Sequence, residues 1–317
     1  MKKLLSVMLI VVMVFAMTAC GNNSDAKYPD GTITSIVNFS AGGGSDLAAR
    51  ALCDKAAELM GCTITTTNVT GGSGTVGAAE LANAEPDGYT IGFVPTASMA
   101  LTPLFVEGAN YTVDDFDYIC GFGQYGYGIV VNNDSEFKSM DDVIAAMKKG
   151  TLKFGITGYP QPFAMYELAN QVGGSVEAVS YPSTTDMITD VMGGFLDICV
   201  ADEASFAAYV RSGDVTLLAG CCEDRWISAP DVPTLLELGY DVKLEAYLAM
   251  VAPKGIDADK LAILRDAFET AAQDEKFIEI MNNANQHVSF MSGEDYEAFM
   301  KEKAVEFKDL YAKYGNN

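Results

Sequence analysis

A short apolar run that ends in three consecutive glycines and then takes up helical spacing constrains this chain more than any other stretch. Ile33, Ile36, Val37 and Phe39 make a β-rich segment. Gly42, Gly43 and Gly44 follow, and Ala48, Ala51, Leu52, Ala56 and Leu59 then recur at helical intervals until Gly61 stops them. The pattern predicts a buried strand, a glycine elbow and a helix. Glycines remove the Cβ atoms that would keep a ligand off the backbone, Ser45 or Asp46 is positioned to cap the helix, and its first-turn amides face outward over the loop. Such a helix start attracts anions.

The unit repeats at once. Residues 63–69 are β-branched, residues 70–77 form a second glycine loop, residues 78–84 continue as helix, and the Pro86-Asp87-Gly88 turn leads into a third strand over residues 89–95. This is a βαβαβ arrangement with both glycine loops at carboxyl ends of strands, where open α/β sheets bind ligands. The spacing Gly72-x-Gly74-x-x-Gly77 also meets the dinucleotide fingerprint, but it lies on the second strand of its unit. The following strand ends in Val94, Pro95, Thr96, Ala97 and Ser98 with no acidic residue for a ribose. No lysine follows either glycine loop, so a P-loop is excluded as well.

The N-terminus reads as an export signal. Met1, Lys2 and Lys3 precede an apolar run over residues 4–19 broken only by Ser6 and Thr18, shorter than the ~20 residues of a spanning helix. It ends in Met17-Thr18-Ala19-Cys20-Gly21, which resembles the lipobox of bacterial lipoproteins, with Met17 where leucine is usual. Residues 1–19 are therefore expected to be a signal peptide and Cys20 the lipidated first residue, with residues 20–27 a flexible tether. Removing residues 1–19 takes away two of the 20 Lys+Arg against 43 Asp+Glu, leaving a formal charge of −25. So acidic a surface repels nucleic acid and keeps the protein soluble, and any anion must be held by local amide dipoles. About 300 residues, rich in hydrophobic side chains, are enough for a large core divided between two lobes.

Six cysteines remain after Cys20, none in a CxxC or CxxH pattern, so no metal is expected. Cys53 and Cys62 are spaced to pair across the first helix and second strand in an oxidising compartment, whereas most of the six read as small buried apolar residues. His287, the single histidine, follows Asn282-Asn283-Ala284-Asn285-Gln286 without a nucleophile motif such as Gly-x-Ser-x-Gly, so a surface or capping role is expected for it. Of the carboxylates, Asp46 reads as a cap that holds its loop.

Several spaced motifs together resemble the solute receptors of tripartite tricarboxylate transporters, the Bug family. They are Tyr28-Pro29-Asp30, Phe39-x-x-Gly42-Gly43-Gly44-x-Asp46-x-x-Ala49-Arg50, Asn68-x-x-Gly71-Gly72-x-Gly74-x-x-Gly77 and Pro86-Asp87-Gly88-Tyr89-Thr90. Downstream follow Tyr181-Pro182, Gly193-Gly194-x-x-Asp197, Arg225 with Pro230-Asp231-Val232-Pro233-Thr234-x-x-Glu237-x-Gly239-Tyr240, and Ala252-Pro253-Lys254-Gly255. The resemblance spans the whole mature chain. It implies an α/β, two-lobed periplasmic-binding-protein-like fold of type II-like form, each lobe a sheet flanked by helices with a ligand crevice between. It further implies an extracytoplasmic receptor, monomeric and without enzymatic activity or cofactor, that captures a small organic carboxylate by hinge closure and delivers it to membrane permease subunits. An exported hydrolase, an orphan sensor-type lipoprotein and a lipoprotein scaffold are the competing classes.

On this reading residues 28–122 and 250–317 form lobe 1 and residues 123–249 lobe 2, with crossings near residues 120–128 and 246–251. The candidate ligand-binding residues on the first loop are Phe39, Ser40, Ala41, Gly42, Gly43, Gly44, Ser45 and Asp46. The second loop contributes Gly71, Gly72, Ser73, Gly74 and Thr75, and the end of the third strand Thr96 and Ser98. Lobe 2 contributes Tyr159, Gln161, Phe163, Tyr181 and Asp202. The chain departs from the family at Gly158-Tyr159-Pro160-Gln161-Pro162-Phe163-Ala164, where a Gly-x-Gly-Ser-x-x-His pattern is common, and Asn38 and Ala41 stand where prolines are usual. A ligand with an aromatic or apolar part against Tyr159 or Phe163 fits this departure, and ordinary packing of those rings between the lobes fits it equally. Mass spectrometry of the native protein is expected to find a diacylated Cys20 as first residue. An unmodified N-terminus at another position, or a retained Met1, overturns the anchor.

Overall fold

In the computed structural model, residues 28–315 are described, so the signal segment, Cys20 and the tether lie outside the described residues. The first glycine unit forms as its pattern requires. Strand β1 (Ile33–Val37) buries Ile33, Ile36 and Val37, and helix α1 (Gly44–Met60) turns Ala48, Ala49, Leu52, Cys53 and Ala56 inward before Gly61 ends it at φ 65°. That left-handed conformation strains any residue with a Cβ. The second unit is β2 (Ile64–Asn68), a 3₁₀ turn over Gly72–Gly74, and α2 (Thr75–Ala82), leading to β3 (Thr90–Phe93).

Two sheets result. The first has the order β11-β4-β10-β3-β1-β2, with β1 parallel to β2 and β3. The remaining strands, β4 (Phe116–Gln124), β10 (Tyr247–Pro253) and β11 (Met291–Ser292), join it antiparallel. The second has the order β7-β6-β8-β5-β9, with β6 (Thr151–Ile156) parallel to β7 (Ser175–Ser180) and β8 (Ile198–Asp202). Here β5 (Tyr127–Asn132) runs antiparallel to β8 and to β9 (Val215–Gly220). Helices α3 (Met140–Lys149), α4 (Gln161–Val172), α5 (Thr184–Met192) and α6 (Glu203–Ser212) belong to the second lobe. Helices α7 (Ala258–Ala272), α8 (Glu275–Asn283) and α9 (Gly293–Tyr314) follow the return.

The chain changes sheets at residues 125–126, because β4 keeps pairing with β10 as far as Gln124, opposite Tyr247. The exchange therefore falls a few residues inside the boundaries expected at 122 and 250. The two crossings are bonded to one another, Tyr125 N donating to Ala246 O at 3.0 Å. Gly126 sits between them where a Cβ would meet His287 Nε2 at 2.8 Å and Glu203 Oε2 at 3.1 Å. Helix α9 spans both lobes. Tyr296, Met300 and Phe307 are buried against the first, and Tyr314 stacks on Tyr166 while Lys313 Nζ pairs with Glu167 at 2.9 Å in the second. The Ser292 hydroxyl caps it by accepting from Asp295 N.

All six cysteines of the described chain are free thiols, five of them buried. Cys53 Sγ donates to Ser35 Oγ at 3.5 Å and burial pushes its pKa up to about 12, so it behaves as core and not as half of a bridge. Gly77 is a close backbone approach in the first lobe, where a Cβ would lie 2.5 Å from the Val69 carbonyl oxygen and 3.0 Å from Asn38 Cα. Both atoms are backbone and cannot swing away. Gly77→Ala is therefore expected to destabilise the fold by about 1–3 kcal/mol, read as a lower urea midpoint with an unchanged m-value.

Candidate functional site

The carboxyl ends of both sheets face one crevice of about 630 Å³. Phe39, Gly44, Ser45 and Leu47 line it from the first loop and α1, Ser73 from the second loop, and Pro95, Ala97, Ser98 and Thr102 from the segment after β3. Tyr125 and Tyr127 lie at the first crossing. Thr157, Gly158, Tyr159, Gln161, Thr184, Asp202, Ala204 and Ser205 form the opposite wall, and Ala284, Asn285 and Gln286 close one side. No lysine or arginine is among these residues. Asp202 is the one formally charged group.

Several helices begin at this crevice, and their starts differ chemically. Helices α5 and α6 are capped by their own chain, the Ser183 side chain accepting from Asp186 N and Asp202 from Ser205 N. Helix α1 begins from Gly43 and α4 from Pro160, neither of which supplies a side-chain cap. The first-turn amides of α1 are thus left to a ligand or water. The second glycine loop spends its groups on itself. Gly74 N donates to Gly71 O at 2.9 Å, Val76 N to the same carbonyl, and Thr75 Oγ1 to Gly72 O at 2.9 Å.

Asp46 explains how the first loop keeps its shape. Its carboxylate accepts from Gly42 N at 2.8 Å, from Arg50 Nε at 2.9 Å and from Asn68 Nδ2 at 2.7 Å. Asn68 Nδ2 also donates to Phe39 O, and its Oδ1 accepts from Arg50 at 2.8 Å. Asn38 makes the reciprocal stitch, donating to Gly74 O at 3.0 Å, a bond that proline at this position could not make. Burial alone would raise the Asp46 pKa. The hydrogen bonds from Arg50, Gly42 and Asn68, with the Arg50 charge, hold it below the usual carboxylate value instead.

Of the residues expected at the site, Phe39, Gly44, Ser45, Ser73, Ser98, Tyr159, Gln161 and Asp202 line the crevice. Ser40, Ala41, Gly42 and Gly43 lie on the exposed outer side of the loop, because Asp46 pulls the Gly42 amide back toward the protein. Asp46 is itself buried inside α1 and is not the N-cap, which is Gly43. Gly71, Gly72, Gly74 and Thr75 build the 3₁₀ turn and do not reach the crevice. Thr96 is fully buried, its hydroxyl set between Tyr247 and Tyr296. Phe163 is core, packed with Tyr159, Tyr166 and Tyr314, and Tyr181 turns its hydroxyl to Asp190. Tyr159 both lines the crevice and stacks on Phe105 of the first lobe, with ring centroids 3.8 Å apart.

His287 also needs correction. It is neither a surface nor a capping residue: its Nε2 lies 2.6 Å from Glu203 Oε2, whose other oxygen accepts from Ser228 N. Sequence reasoning missed Tyr125, Tyr127, Asn285 and Gln286. The tyrosines flank Gly126 within a strand-like run and gave no loop signal, while the amides reach the crevice from 40 residues beyond the second crossing.

A match to the tripartite tricarboxylate transporter family receptor covers residues 48–315. The chain belongs to this receptor family. A Cupriavidus necator protein named for its place in the gbd 5′ region is 30% identical over 294 residues, covering 91% of this chain and 89% of that one. A solved periplasmic transporter is 26% identical with a TM-score of 0.78, covering 91% of this receptor and 98% of that chain. A Rhodopseudomonas palustris protein solved with adipate shares the fold at TM-score 0.79 and 19% identity, covering 91% and 98%. Among the described residues of the receptor, no helix is long and apolar enough to cross a membrane, and no group of ligating side chains is placed to hold a metal.

Because folding lowers the Asp46 pKa, the stability it contributes is fully present above about pH 4, the unfolded value, and is lost as pH falls through the folded value. Asp46→Ala is expected to cost about 1–3 kcal/mol at neutral pH and to flatten the acid side of the stability curve, as measured by thermal melts from pH 7 to pH 2.

Proposed function

We propose that this receptor captures a small organic carboxylate between its lobes, closes about the paired crossings, and delivers the ligand to the membrane permease subunits of a tripartite transporter. Lipid on Cys20 tethers it as a monomer at the outer face of the cytoplasmic membrane. The observation that carries the reading is the start of α1, an uncapped helix N-terminus beside Gly44 at the crevice wall, with Ser45 and Ser73 hydroxyls within the same lining. Helix amides of this kind replace a formal cation, each neutral hydrogen bond contributing about 1 kcal/mol net and a charge-assisted one more. Adipate in a protein of the same fold is a ligand of the same chemical class. The receptor reading is preferred to a hydrolase because the single histidine is engaged by Glu203 and stands outside the crevice lining. The architecture supports closure, because two lobes joined by a bonded pair of strands is an arrangement about which hinge movements occur.

Calorimetry with adipate, succinate and citrate is expected to give saturable binding to one site without turnover, and small-angle scattering a smaller radius at saturation. Gly44→Val tests the position. Its Cβ would meet Gln286 Nε2, the far end of an unbranched side chain, at 2.7 Å, and the added side chain fills the approach to the α1 amides, with circular dichroism as the control for folding. Wild-type affinity in a folded Gly44→Val protein, or an unchanged radius with a bound ligand, refutes the reading.

A further inference from the structure

The crevice contains an acid with nothing to neutralise it. Asp202 caps α6 through Oδ1, which accepts from Ser205 N at 2.9 Å, and no hydrogen bond among the described residues engages its second oxygen. No cation lines the crevice beside it. The neighbouring Glu203 gives no relief, being a second acid spent on His287 and Ser228. Burial, the largest influence, raises the Asp202 pKa against the hydrogen bonds from Ser205, and Glu203 adds to the rise. A second carboxylate brought here by a plain dicarboxylic acid would add repulsion to an already unfavourable charge.

Tyr127 lies directly opposite Asp202 in the β5–β8 pairing. Its side chain is only 7% exposed, it lines the crevice, and its hydroxyl has no partner among the described residues. The Tyr125 ring is 5.8 Å from that of Tyr127, and its hydroxyl lies 2.6 Å from Ser45 Oγ in the first turn of α1. The acid and the amide-rich helix start are therefore joined by two neighbouring tyrosines. They are also close across the crevice: a Cβ at Gly44 would lie 3.8 Å from the Cβ of Ala204, two residues after Asp202.

We infer that the ligand is an α-amino acid, its carboxylate on the first-turn amides of α1 and its ammonium group between the Asp202 carboxylate and the Tyr127 side chain. This rests on the receptor reading above and narrows its ligand class. An ammonium group neutralises Asp202, donates to its unengaged oxygen and to the Tyr127 hydroxyl, and meets aromatic faces that attract cations. The short span between the two subsites matches charges held on adjacent atoms of one ligand. The amino acid's side chain then extends toward Tyr159 and Gln161, where the chain departs from its family's pattern.

Calorimetry on the mature protein with matched pairs tests the inference: L-aspartate against succinate, L-glutamate against glutarate, L-leucine against 4-methylpentanoate, and L-phenylalanine against 3-phenylpropanoate. At least one amino acid is expected to bind at least tenfold more tightly than its partner lacking the ammonium group. Asp202→Asn keeps the helix cap, since asparagine caps as well as aspartate. It is expected to weaken the amino acid at least tenfold while leaving the matched acid unchanged or improved. Tighter binding of the acids lacking the ammonium group by the wild type, or an Asp202→Asn protein with the same ranking and affinities, overturns the α-amino acid and leaves the carboxylate receptor standing. No saturable binding by any member of either set overturns both. The wild-type ranking decides the matter even where the variant melts early.

Discussion

The Asp46 carboxylate is buried beneath the first glycine loop and receives hydrogen bonds from the loop's own Gly42 amide, from Arg50 one turn along α1, and from Asn68 at the end of β2. A buried charge of this kind is tolerated only when its oxygens are satisfied, and here the partners come from three separate segments. The carboxylate therefore fixes the loop's path, the start of α1 and the end of the neighbouring strand at once. The α1 amides are open to the crevice because Asp46 bonds backward to Gly42 and no side chain caps the helix from outside.

This arrangement resolves an electrostatic conflict in the chain. The long-range field of so acidic a protein works against an anion, and screening confines that field to about 8–10 Å at ordinary ionic strength. At the start of α1 the local terms are dipolar, while Asp202 on the opposite wall carries the one formal charge of the lining. Arg50, the cation nearest the first loop in sequence, is paired with Asp46 and Asn68 and does not line the crevice.

The lobes meet through contacts of unequal strength. At the crossings, β4 and β10 are bonded along their length, and the close approach of His287 and Glu203 leaves no room for a side chain at residue 126. Farther out, the Phe105–Tyr159 stack and the tail of α9 on α4 are side-chain contacts that can part without breaking a sheet. Stiff pairing near the crossings and separable aromatic contacts at the rim are what a hinge needs.

How much of this was legible in the sequence depended on the range of the interaction responsible. Local patterns carried β1, α1, the two glycine loops and the Gly61 stop, because spacing and Cβ absence act within a few residues. The burial of most cysteines followed from their small apolar character. Tertiary structure alone decided which side of each loop faces the crevice. Gly42 and Gly43 point outward because Asn68, 22 residues beyond Asp46, completes the carboxylate's bonding and holds the loop back. Thr75 closes a 3₁₀ turn, and Phe163 is core because Tyr166 and Tyr314, from α4 and the far end of α9, enclose it. Tyr127 and Asp202 become partners only through the antiparallel register of β5 and β8. The sequence by itself determined the elements and the kind of ligand surface they form. Pairings between residues tens to hundreds of positions apart decided which side chains share that surface, and no local periodicity encodes them.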